Sequence, residues 1–465
     1  MQMKKWGVGI GILVVLMVAG YTIADRLVRN KVAAALGAMP DSLHVGYASI
    51  HVNLFTGSVI IDSLHGRGMT IDRLGAHGIK FLTLLRTHRL SLSSLRLEGF
   101  KSKELSMTGT VTVDSLSGPA DSLGLDDVRF GAVRADLDRL RYVIPESDEI
   151  VLATHLELDS RKKLLRLDTL RIMPMLDRQE IGRKQGHQVD VAETTSEGIE
   201  VEGLETMELL EHRLVAGKIT IHSSHIRVFR DRRLPLAKGE KELPVQSLKA
   251  LPVSLRVGSV EIGPTLFAYE EYPAKGDRTG TLKIYRMSGT ITPLINHPLA
   301  GDPAYITVRT EGSLMNSGSV VATTKMPLHA GDPYLVEGAF HELDVTKLND
   351  PAENLGKLHL ESGMLNFLSF RFEMTTEKAT GQIVGEYHDL VVDKLKDNGR
   401  EAKLKSFALK KFIIPRDKDK SLPEKKRTGK VDYKRDPQRY FSYYLLHSLL
   451  VGVKSSFSLG FLLPG

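Results

Sequence analysis

The chain contains no cysteine in 465 residues. That excludes a disulfide framework and a cysteine-ligated zinc site, on whichever side of a membrane the protein sits. Aromatic residues make up only 6% of it, which argues against an outer-membrane barrel, since barrels carry aromatic girdles. Catalytic signatures are missing too. There is no P-loop, no glycine-rich dinucleotide turn and no Gly-x-Ser-x-Gly elbow. His341-Glu342 opens like a zinc-protease helix, but Val345 stands where the second histidine belongs. The 16 histidines are scattered. His44, His51, His65, His77 and His88 show no ligand spacing and read as exposed or turn residues. Tyr269-Glu270-Glu271-Tyr272 is the densest acidic-aromatic cluster; it offers a glutamate as a base but reads as a polar strand end. The expectation is a protein with no catalytic residue, no cofactor and no metal.

What is present begins with Trp6–Ile23, 18 residues without a charge. A helix of that length covers ~27 Å, close to the ~30 Å hydrocarbon core of a bilayer. Gly7, Gly9, Gly11 and Gly20 would weaken a soluble core helix. Lys4 and Lys5 with Thr22-Ile23-Ala24 also fit a cleavable signal peptide, but the run exceeds the usual h-region of about 7–15 residues, so a retained anchor is expected. Lys4 and Lys5 precede the span and Arg26, Arg29 and Lys31 follow it, so charge does not set its orientation. Net charge is +7 and uneven: Arg416–Arg439 holds ten Lys/Arg against five Asp/Glu. No nucleic-acid motif accompanies this run, which points to an anionic membrane surface and away from nucleic acid.

Ala24–Met39 reads as a short helix stopped by Gly37 and Pro40. From Leu43 the hydrophobic period becomes two. Thr56-Gly57 reads as a turn into Val59–Ile61, and Leu90–Ser93 and Leu95–Glu98 alternate. The pattern returns in Leu164–Ile172, Ile219–Ile221, Ile226–Val228, Val253–Val257, Val260–Ile262, Leu282–Ile284, Ile306–Val308, Leu358–Leu360, Phe370–Met374 and Ile383–Val392. This predicts a mostly β protein. Asp177–Thr195 and Arg230–Lys241 read as polar surface loops, and Lys418–Lys430 as a basic linker. Tyr440–Val453 reads as an apolar helix, too short to span, that is interfacial or packed on the body. Gly78–Leu85 aligns with Gly203–Leu210, and each is followed by a His-Arg pair and alternating segments. That echo predicts a repeated unit of short helix and hairpin, stacked into an elongated body.

The order of these features carries a resemblance. The N-terminal span, the Leu43–Leu64 segment with its Val52–Ser58 run, Arg230-Asp231, Tyr269-x-Glu271 and the final Arg435–Gly452 segment together resemble the AsmA-like proteins of Gram-negative envelopes. The resemblance implies an inner-membrane anchor, a periplasmic body forming a curved β-groove, and kinship with chorein-type bridge lipid-transfer proteins. It implies a role in outer-membrane lipid homeostasis and supplies no catalytic residue.

The expected architecture is therefore a transmembrane helix followed by an elongated, curved antiparallel β-groove with a few short helices. Its parts are a cytoplasmic N-terminus (1–5), the anchor (6–23), a membrane-proximal helix (24–39), a periplasmic β-rich body (40–415), a basic linker (416–439) and an apolar C-terminal helix and tail (440–465). The groove candidates are Leu90, Leu92, Leu95, Leu97, Ile219, Ile221, Ile226, Val228, Val253, Leu255, Val257, Val260 and Ile262. Val253, Leu255 and Val257 are expected to share a face that Val260 and Ile262 continue on the next strand. Candidates for a membrane surface are Lys425, Lys426, Arg427, Tyr440, Phe441 and Tyr444. The expected partners are a phospholipid or other envelope lipid, the inner membrane and envelope proteins. A sandwich of two sheets would bury the same apolar faces without any lipid. A different class of function, a non-enzymatic scaffold or assembly factor using exposed sheet edges, is the alternative.

Overall fold

The computed structural model describes residues 46–66, 68–119, 129–145, 147–395, 411–413 and 427–456, together with Arg26, Arg29 and Asn30, which are helical. The expected anchor, the rest of the 24–39 helix, Lys425 and Lys426 lie outside the described residues. Among the described residues no helix is long and apolar enough to cross a membrane. Strand dominates, as the period-two pattern requires. The chain forms two compact units, Met1–Ser147 with Val151–Asp168, and Asp148–Ile150 with Thr169–Gly465.

The first unit contains an antiparallel meander of β1 (Ser49–Asn53), β2 (Ser58–Gly66), β3 (Met69–His77), β4 (Arg89–Lys101), β5 (Leu105–Pro119) and β6 (Val133–Val143). Helix α1 (Phe81–Thr87) joins β3 to β4. Thr56-Gly57 lies in the turn between β1 and β2, as the sequence suggests, with Gly57 at φ +62°. Register gives the meander two distinct faces. Ile50, Ile61, Leu74, Leu97, Val111 and Ala135 face one another across six strands, and so do Val52, Val59, Ala76, Leu95, Val113 and Val133. The intervening row reads His51, Ile60, Gly75, Arg96, Thr112, Arg134, and the row flanking Ile50 reads Ser49, Asp62, Arg73, Glu98, Thr110, Asp136. The division between the units falls within β7 (Glu149–Asp159) and β8 (Leu164–Pro174).

In the second unit, helix α2 (Arg178–Gln185) precedes β9 (Asp190–Glu202), α3 (Thr206–Leu210) leads into β10 (Arg213–Asp231), and α4 (Pro244–Lys249) leads into β11 (Ser254–Tyr272). Then follow β12 (Gly280–Thr292), the two-residue β13 (Leu294–Ile295), β14 (Tyr305–Leu314), β15 (Gly318–Pro327) and β16 (Tyr334–Asp344). Helix α5 (Asn349–Gly356), β17 (Leu358–Met374), β18 (Lys378–Lys394), β19 (Lys411–Ile413), β20 (Arg427–Lys434) and α6 (Phe441–Ser456) complete it. Pairing runs β9, β10, β11, β12, β14, β15, β16, β17, β18, β20.

Several expectations need correction. The sheet is not wholly antiparallel, because β10 and β11 pair in parallel from Arg213–Ser254 to Asp231–Tyr272. A parallel pair needs a crossover, and residues 232–253 with α4 supply it. Segments that read as separate strands are single long ones: Ile219–Ile221 with Ile226–Val228 in β10, Val253–Val257 with Val260–Ile262 in β11, and Leu358–Leu360 with Phe370–Met374 in β17. The breaks are not turns: β10 and β11 keep one register through theirs, and β17 absorbs its break in register shifts between Leu360 and Phe367. Gly198 takes φ +60° within β9 with the β9–β10 register unbroken, and a Cβ there would run into the His222 ring on β10. Asp177–Thr195 is not a loop but α2 and the start of β9, since Asp177 caps the helix by accepting from the Gln179 N–H. Part of the supposed linker, Arg427–Lys434, is β20, paired along β18.

The internal echo is structural. Gly78 (φ +65°), α1, His88 (φ +53°) and β4 correspond to Gly203 (φ +68°), α3, His212 (φ +54°) and β10. In place of the expected hairpin, each copy feeds one long strand. The same grammar recurs where α5 ends in Lys357 (φ +55°) and enters β17.

The second unit's main core lies at its β14–β20 side. Val336, Phe370, Phe372, Met374, Ile383 and Val431 are buried there together with Tyr444 of α6. The expected C-terminal helix therefore exists and packs on the body.

Candidate functional site

The second unit's sheet also has two chemically distinct faces. Residues directly opposed across strands share a face. One row passes through Val201, Ile219, Val260, Ile291, Val308, Thr324, Val336, Phe372, Gly381 and Val431. A second passes through Ile199, Ile221, Ile262, Gly289, Thr310, Ala322, Gly338, Phe370, Ile383 and Gly429. Ten strands at about 4.8 Å spacing make each row about 43 Å long. At the β16–β20 end these rows lie within the core capped by α6. On β10, β12 and β14 the apolar side chains Ile219, Ile221, Ile291 and Val308 are only half-buried.

Between the two runs the intervening row reads Glu200, Thr220, Glu261, Thr290, Arg309, Thr323, Glu337, Arg371, Gln382 and Lys430. It belongs to the opposite face, because side chains alternate along each strand. That face carries a trough of about 1140 Å³. Every member of the polar row from Thr220 to Gln382 lines it, and so do Ile221, Ile262, Gly289, Thr310, Ala322, Gly338 and Phe370 of the second row, whereas none of the Ile219-to-Phe372 residues does. Its charges are largely matched within the sheet. Glu337 pairs with Arg371 at 2.9 Å and Glu261 with Lys218 at 2.7 Å, while Glu311 accepts from the Ser288 hydroxyl at 3.2 Å.

The groove candidates divide accordingly. Leu95 and Leu97 lie on the two apolar rows of the first unit. Leu92 faces Leu116 and Leu90 faces Gly118. In the second unit Ile219 with Val260 and Ile221 with Ile262 sit in the long rows, Ile226 faces Phe267, and Val228 faces Tyr269. Leu255 and Val257 belong to the same strand as Val260, with the bridging interrupted at Gly217 and Gly258. Leu255, Val257 and Val260 are buried, whereas Val253 lies just before β11 and is half-buried. Of the 13, only Ile221 and Ile262 also line the trough.

The membrane-surface candidates within the described residues turn inward. Tyr444 is 1% exposed and donates its hydroxyl to the Thr375 carbonyl at 3.2 Å. The Phe441 ring lies 5.3 Å from that of Tyr334. Tyr440 lies beneath Arg230 and Lys241, and Arg427 sits over Tyr387. The large apolar side chains of α6 that reach solvent are Leu446 and Leu450.

The ends of β9, β10 and β11 hold a charge cluster whose Asp190 and Arg230–Arg233 members the sequence pattern placed in loops and whose Tyr269–Tyr272 members it read as a polar strand end. Arg230, 4% exposed, makes a bidentate pair with Asp190 through Nε at 2.6 Å and Nη2 at 2.5 Å. Burial opposes its charge, but Asp190 with Tyr269 and Glu271 together outweigh that and hold the guanidinium pKa up. Arg233 holds the Asp231 carboxyl below the usual range. Glu270 is forked by Arg178 at 2.6 and 3.2 Å; Glu271 accepts from Arg232 at 2.9 Å and from the Tyr269 hydroxyl at 2.7 Å. Tyr269 is pushed well above its ordinary pKa by burial and by Glu271. The Tyr269–Tyr272 run thus holds its carboxylates in ion pairs, the geometry of a clasp at strand ends rather than of a base.

In the first unit Ser49, His51 and Asp62 meet. The Ser49 hydroxyl lies 3.0 Å from His51 Nε2 and donates to Asp62 at 2.7 Å, and the same Nε2 lies 3.4 Å from Asp62. A nucleophile relay needs the two ring nitrogens to serve separate partners, so this is a polar cross-strand contact. Among the described residues no group of three or more His, Asp or Glu is placed to hold a metal ion. Neither a protein-family model nor a curated protein matches the chain.

Proposed function

We propose that the protein is a membrane-anchored periplasmic AsmA-like factor that shields lipid acyl chains along its apolar sheet face and supports lipid transport to, or homeostasis of, the outer membrane. The observation that carries this reading is the apolar row continuing past the capped end of the sheet onto Val308, Ile291 and Ile219, which stay half-buried. A wide apolar sheet face calls for a cover. Moving a 16-carbon acyl chain through water costs roughly 0.8 kcal/mol per CH₂, or ~13 kcal/mol. A continuous apolar strip removes much of that cost while the headgroup stays in water, and no reaction is required. The anchor Trp6–Ile23 and the AsmA-like order of segments support the location.

Lipid mass spectrometry of the purified full chain tests this. Wild-type protein should carry phospholipid or another envelope lipid. Val308→Asp, at a half-buried position, should remain folded and lose at least tenfold of it, because an unpaired carboxylate among acyl chains is costly. Equal lipid on a folded Val308→Asp protein contradicts the reading. Absence of lipid from wild type, with co-purifying envelope proteins in its place, moves the assignment to a scaffold.

A further inference from the structure

We propose that the end of the second unit where β10 and β11 begin docks on a bilayer of zwitterionic phospholipid. Met207, Leu209, Leu210, Leu251 and Leu299 are 51%, 41%, 53%, 40% and 66% exposed. They come from three segments that the fold brings to one place. Arg213 faces Ser254 at the start of the parallel pair, and the Ser254 N–H donates to the His212 carbonyl at 2.9 Å. That joins the end of α3 to the turn carrying Leu251. Ile295 faces Arg256, and Asp302 accepts from the Arg256 guanidinium at 3.0 Å through each oxygen while also accepting from the Leu299 N–H at 2.6 Å. Leu299 therefore stands at the same end.

The base under these side chains is fixed. Asn296, 0% exposed, donates to the Leu248 and Val253 carbonyls at 3.0 and 2.8 Å and accepts from the Leu255 N–H at 2.7 Å. Leu204, 1% exposed, anchors α3. An exposed apolar cluster on such a platform marks a contact surface. The backbone selects what meets it. The N–H groups of Glu208, Glu211, His212, Leu251, Leu299 and Asp302 are bonded within their own turns. Chain enters a lipid interface only with its backbone groups satisfied, whereas a partner strand needs them free. Charge selects the lipid. Glu208 pairs with Arg213 at 2.5 Å, Arg256 with Asp302, and Lys249 turns its ammonium to the Leu328 carbonyl at 2.9 Å. Exposed Glu211 adds a carboxylate beside the patch, which opposes an anionic surface. The proposal rests on the lipid reading above and names the bilayer contact that such a protein makes.

The chain has no cysteine, so one introduced thiol carries one probe. Full-length Leu210→Cys, Leu299→Cys and, on α6, Leu450→Cys are labelled with an environment-sensitive fluorophore. Each is reconstituted into vesicles of phosphatidylethanolamine and phosphatidylcholine that contain a spin-labelled phospholipid as quencher. Emission from the first two sites should fall at least twofold, and emission from the third should not change. Adding Met207→Glu and Leu251→Glu, both at exposed positions, should restore emission with the melting temperature unchanged. Absence of quenching at the first two sites overturns the proposal, including the case where sedimentation finds that face held against a second copy of the chain. So does equal quenching at the Leu450 site, quenching that persists in the folded double variant, or quenching that requires phosphatidylglycerol. Lipid carried by the chain before reconstitution is read separately by mass spectrometry. A chain that carries lipid but shows no quenching loses the docking site alone; one that is quenched but carries no lipid loses the acyl-strip reading alone.

Discussion

Gly452 of α6 lies directly over Gly429 of β20, so close that a Cβ on Gly429 would collide with the Gly452 carbonyl oxygen. A Cβ on Gly452 would meet Val431 Cγ2 at 2.9 Å and Ile383 Cγ2 at 3.0 Å. Helix and sheet backbones touch here because neither carries a side chain.

That contact predicts the effect of adding bulk. Gly452→Val should lower stability by about 1–3 kcal/mol, the usual cost of overpacking. It should also free α6 from the sheet, since its buried residues Tyr444, Ser448, Gly452 and Ser456 form one stripe. Thermal melting with limited proteolysis checks this: cleavage before Phe441 should accelerate in Gly452→Val, while Leu450→Ala, at an exposed position, should behave as wild type.

His447 gives α6 a pH dependence. Burial pushes its pKa below the ordinary value, Arg439 and Arg232 add to that, and the Tyr443 carbonyl and Glu271 oppose it. Its ring stacks on Tyr443 at 3.6 Å. The unfolded chain takes up this proton near pH 6.5, whereas the folded chain resists it. Stability from this group is therefore complete above about pH 6.5 and declines as pH falls from there toward the lower folded value. Melting temperatures of wild type should fall as pH drops below about 6.5, and His447→Phe should flatten that slope. An unchanged slope in the variant would assign the dependence to other groups.

The strand-end clasp predicts a larger effect. Removing one member of a buried ion pair costs about 3–5 kcal/mol because the other charge is stranded. Asp190→Asn strands Arg230, whose side chain is only 4% exposed, so it should fall toward the upper end of that range, whereas Asp190 itself retains 25% exposure. Arg230→Met should be milder than its burial suggests, because water can still reach the Asp190 carboxylate left behind. Urea unfolding of both variants measures the difference.

Much of this architecture was legible in the sequence. Ile219, Ile221, Val260 and Ile262 announced a strand face by alternation alone, and the Gly78 and Gly203 segments announced a repeat that the matching backbone angles at His88 and His212 bear out. Strand ends were harder to read. A glycine such as Gly198 reads as a turn, yet β9 pairs with β10 in a single register on both sides of it. The parallel β10–β11 pair left no local trace, since parallel and antiparallel partners share the same period. Arg230 and Asp231 looked like loop residues because charge reads as exposure; their burial depends on Asp190 and Arg233, and Asp190 lies 40 residues away in sequence. The trough is a product of register across eight strands, which no single segment encodes.

The central claim concerns which face meets lipid. Purified full-length protein reconstituted with a phospholipid bearing a photoreactive acyl chain, irradiated and mapped by peptide mass spectrometry, answers it directly. The account predicts adducts on the half-buried apolar residues Ile219, Ile291 and Val308, with Thr290 and Thr323 unlabelled. Adducts confined to the Thr290 and Thr323 face, or none on either face, would contradict it.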